Sequence, residues 1–118
     1  MITPMDNRFT YSAQVTKVVD GDTIDVILDI GFETFTVKRL RFARINAYES
    51  RTKNLEEKAL GLRAKEYVTF MLEAHPDKVV IQTVEKGKYG KWIAEVWADG
   101  TNINDSLVDL GLAVFQEY

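Results

Sequence analysis

The chain has no cysteine, which removes disulfides, thiolate metal sites and cysteine nucleophiles together and leaves the redox compartment undecided. It has a single histidine, His75, which stands before Pro76 at a predicted helix end, the place of a helix-dipole partner or an exposed ring rather than a catalytic group. No apolar run approaches the roughly 20 residues of a membrane-spanning helix, so no membrane partner is expected. Residues 1–10 lack the apolar core of a signal peptide, which suits a cytoplasmic protein, bacterial or phage-encoded, or the mature form of a secreted one. Neither a repeat nor a low-complexity tract divides the 118 residues. They read as one domain, 1–118, with residues 1–10 as an N-terminal extension, and as a monomer.

What is present is an ordinary globular composition, 46% hydrophobic and 28% charged, with an uneven distribution of charge under a net −3. Residues 20–33 carry five acids (Asp20, Asp22, Asp25, Asp29, Glu33) and no base, whereas residues 38–65 carry nine bases against three acids. An acidic knot beside a basic field suits a cation together with a phosphate ester; two solvated surfaces of opposite sign are the plainer reading.

Residues 11–19, 23–28 and 35–42 read as three strands joined by short turns at Asp20-Gly21-Asp22 and Asp29-Ile30-Gly31. The order Phe35, Val37, Leu40, Phe42 changes parity and suggests a bulge near Lys38 and Arg39. Residues 44–54 have no period and read as a loop. Residues 55–74 are helical, with Gly61, Ala64, Val68, Met71 and Leu72 on one face, and Pro76 ends the run. Residues 79–84 and 92–97 complete five strands. A short helix follows, with Asn104 as its expected N-cap and Gly111 after its last turn. The predicted fold is therefore α+β: a five-stranded antiparallel OB-fold β-barrel with a helix between strands 3 and 4 and a short C-terminal helix.

The residues able to carry chemistry cluster in three segments: Asp20-Gly21-Asp22-Thr23, then Arg41 through Glu49, then Lys88-Tyr89-Gly90-Lys91. Together they offer carboxylate and other oxygens for a hard divalent cation, guanidinium and ammonium groups for a phosphate, and a loop carboxylate that could position or deprotonate water. Taken singly, each is weak: an Asp-Gly-Asp is usually a plain turn, and a strand arginine usually makes a surface ion pair.

The ordered set resembles the staphylococcal nuclease (thermonuclease) family. Val18-Val19-Asp20-Gly21-Asp22-Thr23 is similar to its first motif, Leu40-Arg41-Phe42-Ala43-Arg44-Ile45-Asn46-Ala47-Tyr48-Glu49 to its arginine-to-acid loop, and Lys88-Tyr89-Gly90-Lys91 to its second phosphate-gripping turn. Asp99-Gly100, Asn104, Leu107-Val108 and Gly111-Leu112-Ala113 are similar to its final helix. The resemblance implies a calcium-dependent endonuclease acting on DNA and RNA. By position it implies that Asp22, Asn46 and the backbone carbonyl of Ala47 ligate one calcium ion. It likewise implies that Arg41 holds the scissile phosphate, that Glu49 handles the attacking water, and that Lys91 supplies the second cation. Tyr89, Lys88 and Arg44 would contact the nucleic acid.

Three departures from the family pattern bear on activity. Asn46 stands where most members have aspartate, which removes a formal charge from the cation site and should weaken calcium roughly tenfold or more. Lys91 replaces an arginine and so lacks the bidentate fork. Tyr48 replaces a proline before the acid and leaves the Glu49 loop less rigid. These departures keep two alternatives open, a non-catalytic OB module that binds nucleic acid and a barrel that has kept only the fold. Trp92 and Trp97 should face opposite sides of one strand, one in the core and the other free to stack on a base. Arg51 and Lys53 suit non-specific phosphate contact, Asp25 and Asp29 read as solvated strand residues, and Asp20 would stand behind the metal site.

Overall fold

Alternation in the sequence becomes inward and outward faces in the barrel. In the computed structural model, which describes residues 9–50, 52–87 and 91–116, the strand β1 (Thr10–Asp20) turns at Gly21-Asp22 into β2 (Thr23–Asp29). On β2 the β-branched and leucine side chains Ile24, Val26 and Leu28 are buried, while Asp25 and Ile27 between them face outward. Strand β3 (Phe35–Phe42) pairs with β2 in unbroken antiparallel register from Thr23–Arg41 to Asp29–Phe35.

The expected bulge at Lys38 and Arg39 is therefore absent. The parity change has another cause: Phe35 and Val37 are solvent-facing, at 61% and 69% exposure, whereas Leu40 and Phe42 point into the core. The register slips fall instead on β1, at Val15–Lys17 and Val18–Asp20, and between Thr83 and Glu85 of β5. Extra residues on these strands let them bend around the barrel.

Strand β4 (Ile45–Ala47) follows, then helix α1 (Leu55–Ala74), β5 (Val79–Lys86), β6 (Trp92–Ala98), β7 (Thr101–Asn102), helix α2 (Ile103–Asp109) and β8 (Ala113–Phe115). The sheet order is β3-β2-β1-β5-β6-β7, and a parallel pairing of β3 with β6 closes the first five strands into a barrel. The OB-type α+β fold is thus the one expected, with its closing seam parallel and the other barrel pairings antiparallel.

Part of the expected loop at 44–54 is a strand, because β8 arrives from far along the chain to pair with β4. Residues of such a short strand carry no local period, so only the partner defines it. The turn into β7 uses Asp99 and Gly100, both at positive φ (49° and 81°), the conformation a two-residue hairpin turn demands.

Helix α1 is started by Asn54, whose side-chain oxygen accepts from the N–H groups of Glu56 and Glu57 at 3.0 and 3.2 Å. Its buried face is Gly61, Ala64, Val68 and Leu72, small toward the turn at Gly21 and larger toward the barrel's other end. For α2 the cap is Asn102, not Asn104. Asn104 is wholly buried and its amide bridges barrel to helix, accepting from Val96 N–H at 3.0 Å and donating to the carbonyls of Ala43 and Ala94 at 2.9 and 3.2 Å. A buried amide with three partners satisfies backbone groups that would otherwise be stranded. Trp92 packs against the core, and Trp97, of opposite parity, stays partly exposed beside Val80 and Asn102. No helix among the described residues is long and apolar enough to cross a membrane.

Candidate active site

Three separated segments meet at the end of β3. The turn between β1 and β2 carries Asp22, only 8% exposed. Its Oδ1 accepts from Thr23 Oγ1 at 3.1 Å and its Oδ2 accepts from Ala47 N–H at 3.0 Å, which ties the turn to β4. The Phe42 N–H donates to the Asp22 carbonyl at 2.8 Å. From the adjacent position on β3, the Arg41 guanidinium forms an ion pair with Asp22 Oδ2, and its Nη2 donates to Asn46 Oδ1 at 3.1 Å. Asp22, Arg41, Asn46 and Ala47 thus form one cluster.

Close packing by small residues makes this approach possible. A methyl group on Gly21 would stand 2.7 Å from Ala64 Cβ and 3.2 Å from Ala47 Cβ, so the turn, β4 and α1 meet where only small residues fit. Gly61 touches the loop in the same way, against the Glu49–Ser50 peptide. Glu49 itself is exposed. Asp20 Oδ1 accepts from Gly21 N–H at 2.9 Å and from Ser50 Oγ at 3.1 Å, so this carboxylate is tied to the loop. Gly21, Ser50, Gly61 and Ala64 are the members of the site that sequence reading passed over as contacts. Gly61 alone had a local signal, a glycine inside a helical run.

The remaining expected contacts divide. Lys88 and Tyr89 lie outside the described residues, as does Arg51. Lys91 stands just before β6, two residues ahead of Ile93, which is the register neighbour of Arg41; its carbonyl accepts from Gly87 N–H at 2.7 Å.

Arg44, expected from the sequence as a nucleic-acid contact, makes ion pairs within the chain. Its Nε and Nη2 grip Glu95 at 2.7 Å each, and Nη2 also reaches Asp105 at 2.8 Å. The guanidinium lies 6.0 Å from the Phe115 ring centroid. With two carboxylates already bound, Arg44 braces β6 to α2 and β8, and those bonds, Glu95 first, hold its pKa above the usual arginine value. Arg39 is likewise paired outward with Asp25 at 2.7 and 3.1 Å, so Asp25 is not merely solvated; that hydrogen bond lowers its pKa.

As a cation site the cluster fits in kind and is poor in charge. Asp22 and Asn46 present hard oxygens that already converge on one positive group, the Arg41 guanidinium. Among the described residues no three acids, histidines or cysteines gather around one point. A cleft of about 520 Å³ is lined by Ala43, Arg44, Val84, Glu85, Ile93, Phe115 and Gln116, a set that shares no residue with the Asp22–Arg41 cluster.

Comparison with known proteins places the chain in a family. The model of the staphylococcal nuclease homologue family matches residues 39–118, which takes in Arg41 to Glu49 and Lys91 and leaves Asp22 to be joined by the fold. The thermonuclease of Staphylococcus hyicus is 30% identical over 107 residues, 91% of this chain and 59% of that protein. Protein ParB of Escherichia coli is 28% identical over 109 residues, 85% of this chain and 54% of that protein. The chain therefore spans little more than half the length of these curated relatives. A family match over residues 39–118, a relative of 30% identity across most of the chain, and a closed five-stranded barrel with its two helices in the expected places together mean that this chain belongs to the staphylococcal nuclease family.

Proposed function

We propose that this domain is a calcium-dependent endonuclease that hydrolyses phosphodiester bonds of single-stranded or frayed DNA and RNA with little sequence preference, and that it does so slowly. The observation that carries the reading is the convergence of Asp22, Arg41, Asn46 and Ala47 from the β1–β2 turn, β3 and β4. An isolated Asp-Gly-Asp turn and an isolated strand arginine have ordinary structural uses. Their meeting, half-buried, favours chemistry on an anion.

In this reading Arg41 leaves its two oxygen partners to take the scissile phosphate through its paired N–H donors. Asp22, Asn46 and the Ala47 carbonyl hold calcium, which when bound supplies positive charge to the phosphoryl oxygens. Glu49, exposed on the loop after β4, orients water and accepts its proton. Lys91, just ahead of β6, adds a point charge, while Lys88 and Tyr89 contact the chain of nucleotides. Slow turnover follows from Asn46 and Lys91, since one missing donor of charge at such a site costs on the order of 10²-fold.

A second reading, a binding module without catalysis, is favoured by one observation: Arg41 already balances the single buried carboxylate, so the cluster has no net charge to attract a cation. Labelled single-stranded DNA incubated with protein, in calcium or in chelator, separates the two by fragment length and mobility. The nuclease reading expects shortening in calcium that Glu49→Gln largely abolishes. Intact DNA with salt-sensitive, calcium-independent retardation is the result of the binding module.

A further inference from the structure

Glu49 is carried by the stretch between β4 and α1, without the proline that would stiffen it. The Tyr48 N–H bond to the Leu112 carbonyl is long, at 3.4 Å. Constraint reaches the loop from two other elements. Ser50 is only 9% exposed, and its hydroxyl donates to Asp20 Oδ1 at 3.1 Å, the oxygen that also accepts from Gly21 N–H. That bond fastens the residue after Glu49 to the turn that bears Asp22. Gly61 of α1 presses on the same peptide: a methyl group there would stand 2.4 Å from the Glu49 carbonyl carbon and 2.5 Å from both its oxygen and Ser50 N. One peptide is thus held by a hydrogen bond to one element and by steric contact with another.

We infer that Asp20, Ser50 and Gly61 are positioning residues that set where Glu49 stands relative to Asp22 and Arg41, in place of a proline before the acid. None of the three is assigned contact with substrate. The role also explains why a carboxylate sits at position 20: it is the acceptor of a buried hydroxyl, a group that would be costly to leave unpaired. The catalytic consequence rests on the nuclease reading; the positional one does not.

The test has a distance arm and a kinetic arm. Because the chain lacks cysteine, Glu49→Cys and Glu66→Cys introduce two unique thiols, one on the loop and one on the exposed side of α1, for nitroxide labels. Electron–electron double resonance should give a narrow distance distribution in this parent. Adding Ser50→Ala or Asp20→Asn should broaden it, and Ser50→Thr, which keeps the hydroxyl, should not. Gly61→Ala should shift its centre; if that variant does not fold, Ser50→Ala and Asp20→Asn carry the arm.

In the unlabelled chain, Ser50→Ala should lower kcat on single-stranded DNA by roughly tenfold or more with KM within about twofold, and Ser50→Thr should restore it. An unchanged distribution in both Ser50→Ala and Asp20→Asn overturns the inference, as does Ser50→Thr behaving like Ser50→Ala. If the parent cuts no DNA, the nuclease reading fails, and the distance arm alone decides whether these residues hold position 49.

Discussion

Arg41 and Arg44 lie three residues apart and have opposite surroundings. Arg41, with a side chain 21% exposed, faces one carboxylate and one amide oxygen. Arg44, 47% exposed, is gripped by two carboxylates, and Gln116 N–H donates to its carbonyl at 2.8 Å. The more accessible guanidinium is thus itself held by two carboxylates. Exposure alone is a poor guide to which arginine meets a substrate; what matters is the number of fixed anions a ligand would have to displace.

The largest expected effect breaks the comparison directly. Arg41→Gln should cost on the order of 10²-fold or more in cleavage of single-stranded DNA while leaving the thermal midpoint within a few degrees. Arg44→Ala should do the reverse, keeping kcat within a few-fold and destabilising by about 1 kcal/mol, a figure kept low because the side chain is half exposed. Parallel activity and calorimetry on the two variants check this; equal loss of activity in both would erase the distinction.

A smaller effect sharpens it. Asn46→Asp gives the Arg41 pocket a second carboxylate, and calcium affinity by titration calorimetry should rise roughly tenfold. No gain in affinity would mean that the Asp22 and Asn46 oxygens are not where the cation binds.

The smallest effect concerns the outward pair of Asp25 and Arg39. The Arg39 hydrogen bond lowers the Asp25 pKa, so the unfolded chain binds this proton more readily and the pair's contribution is present above the unfolded value of about 4. It is lost as pH falls through the lower folded value. Urea midpoints should therefore converge for the parent and Asp25→Asn as pH is lowered from 6 toward 3. A difference that stayed constant with pH would assign the effect to something other than this ionisation.

Much of the barrel could be read from residue order, because a strand such as β2 alternates Ile24, Val26 and Leu28 inward against the core and the pattern is local. The α1 face of Gly61, Ala64, Val68 and Leu72 was legible for the same reason. The readings that shifted depended on partners distant in sequence. β4 needs β8, and Asn104 needs the backbones at positions 43, 94 and 96.

Sequence by itself determined the element types, their order and the residues worth suspecting, since periodicity, turn chemistry and motif spacing are properties of neighbours along the chain. Only the tertiary structure decided which suspects share a site. Asp22 and Asn46 could meet Arg41 because Gly21, Ala47, Gly61 and Ala64 let the turn, β4 and α1 approach to contact. That closeness is set by the volume of side chains from three segments at once, which no local pattern contains.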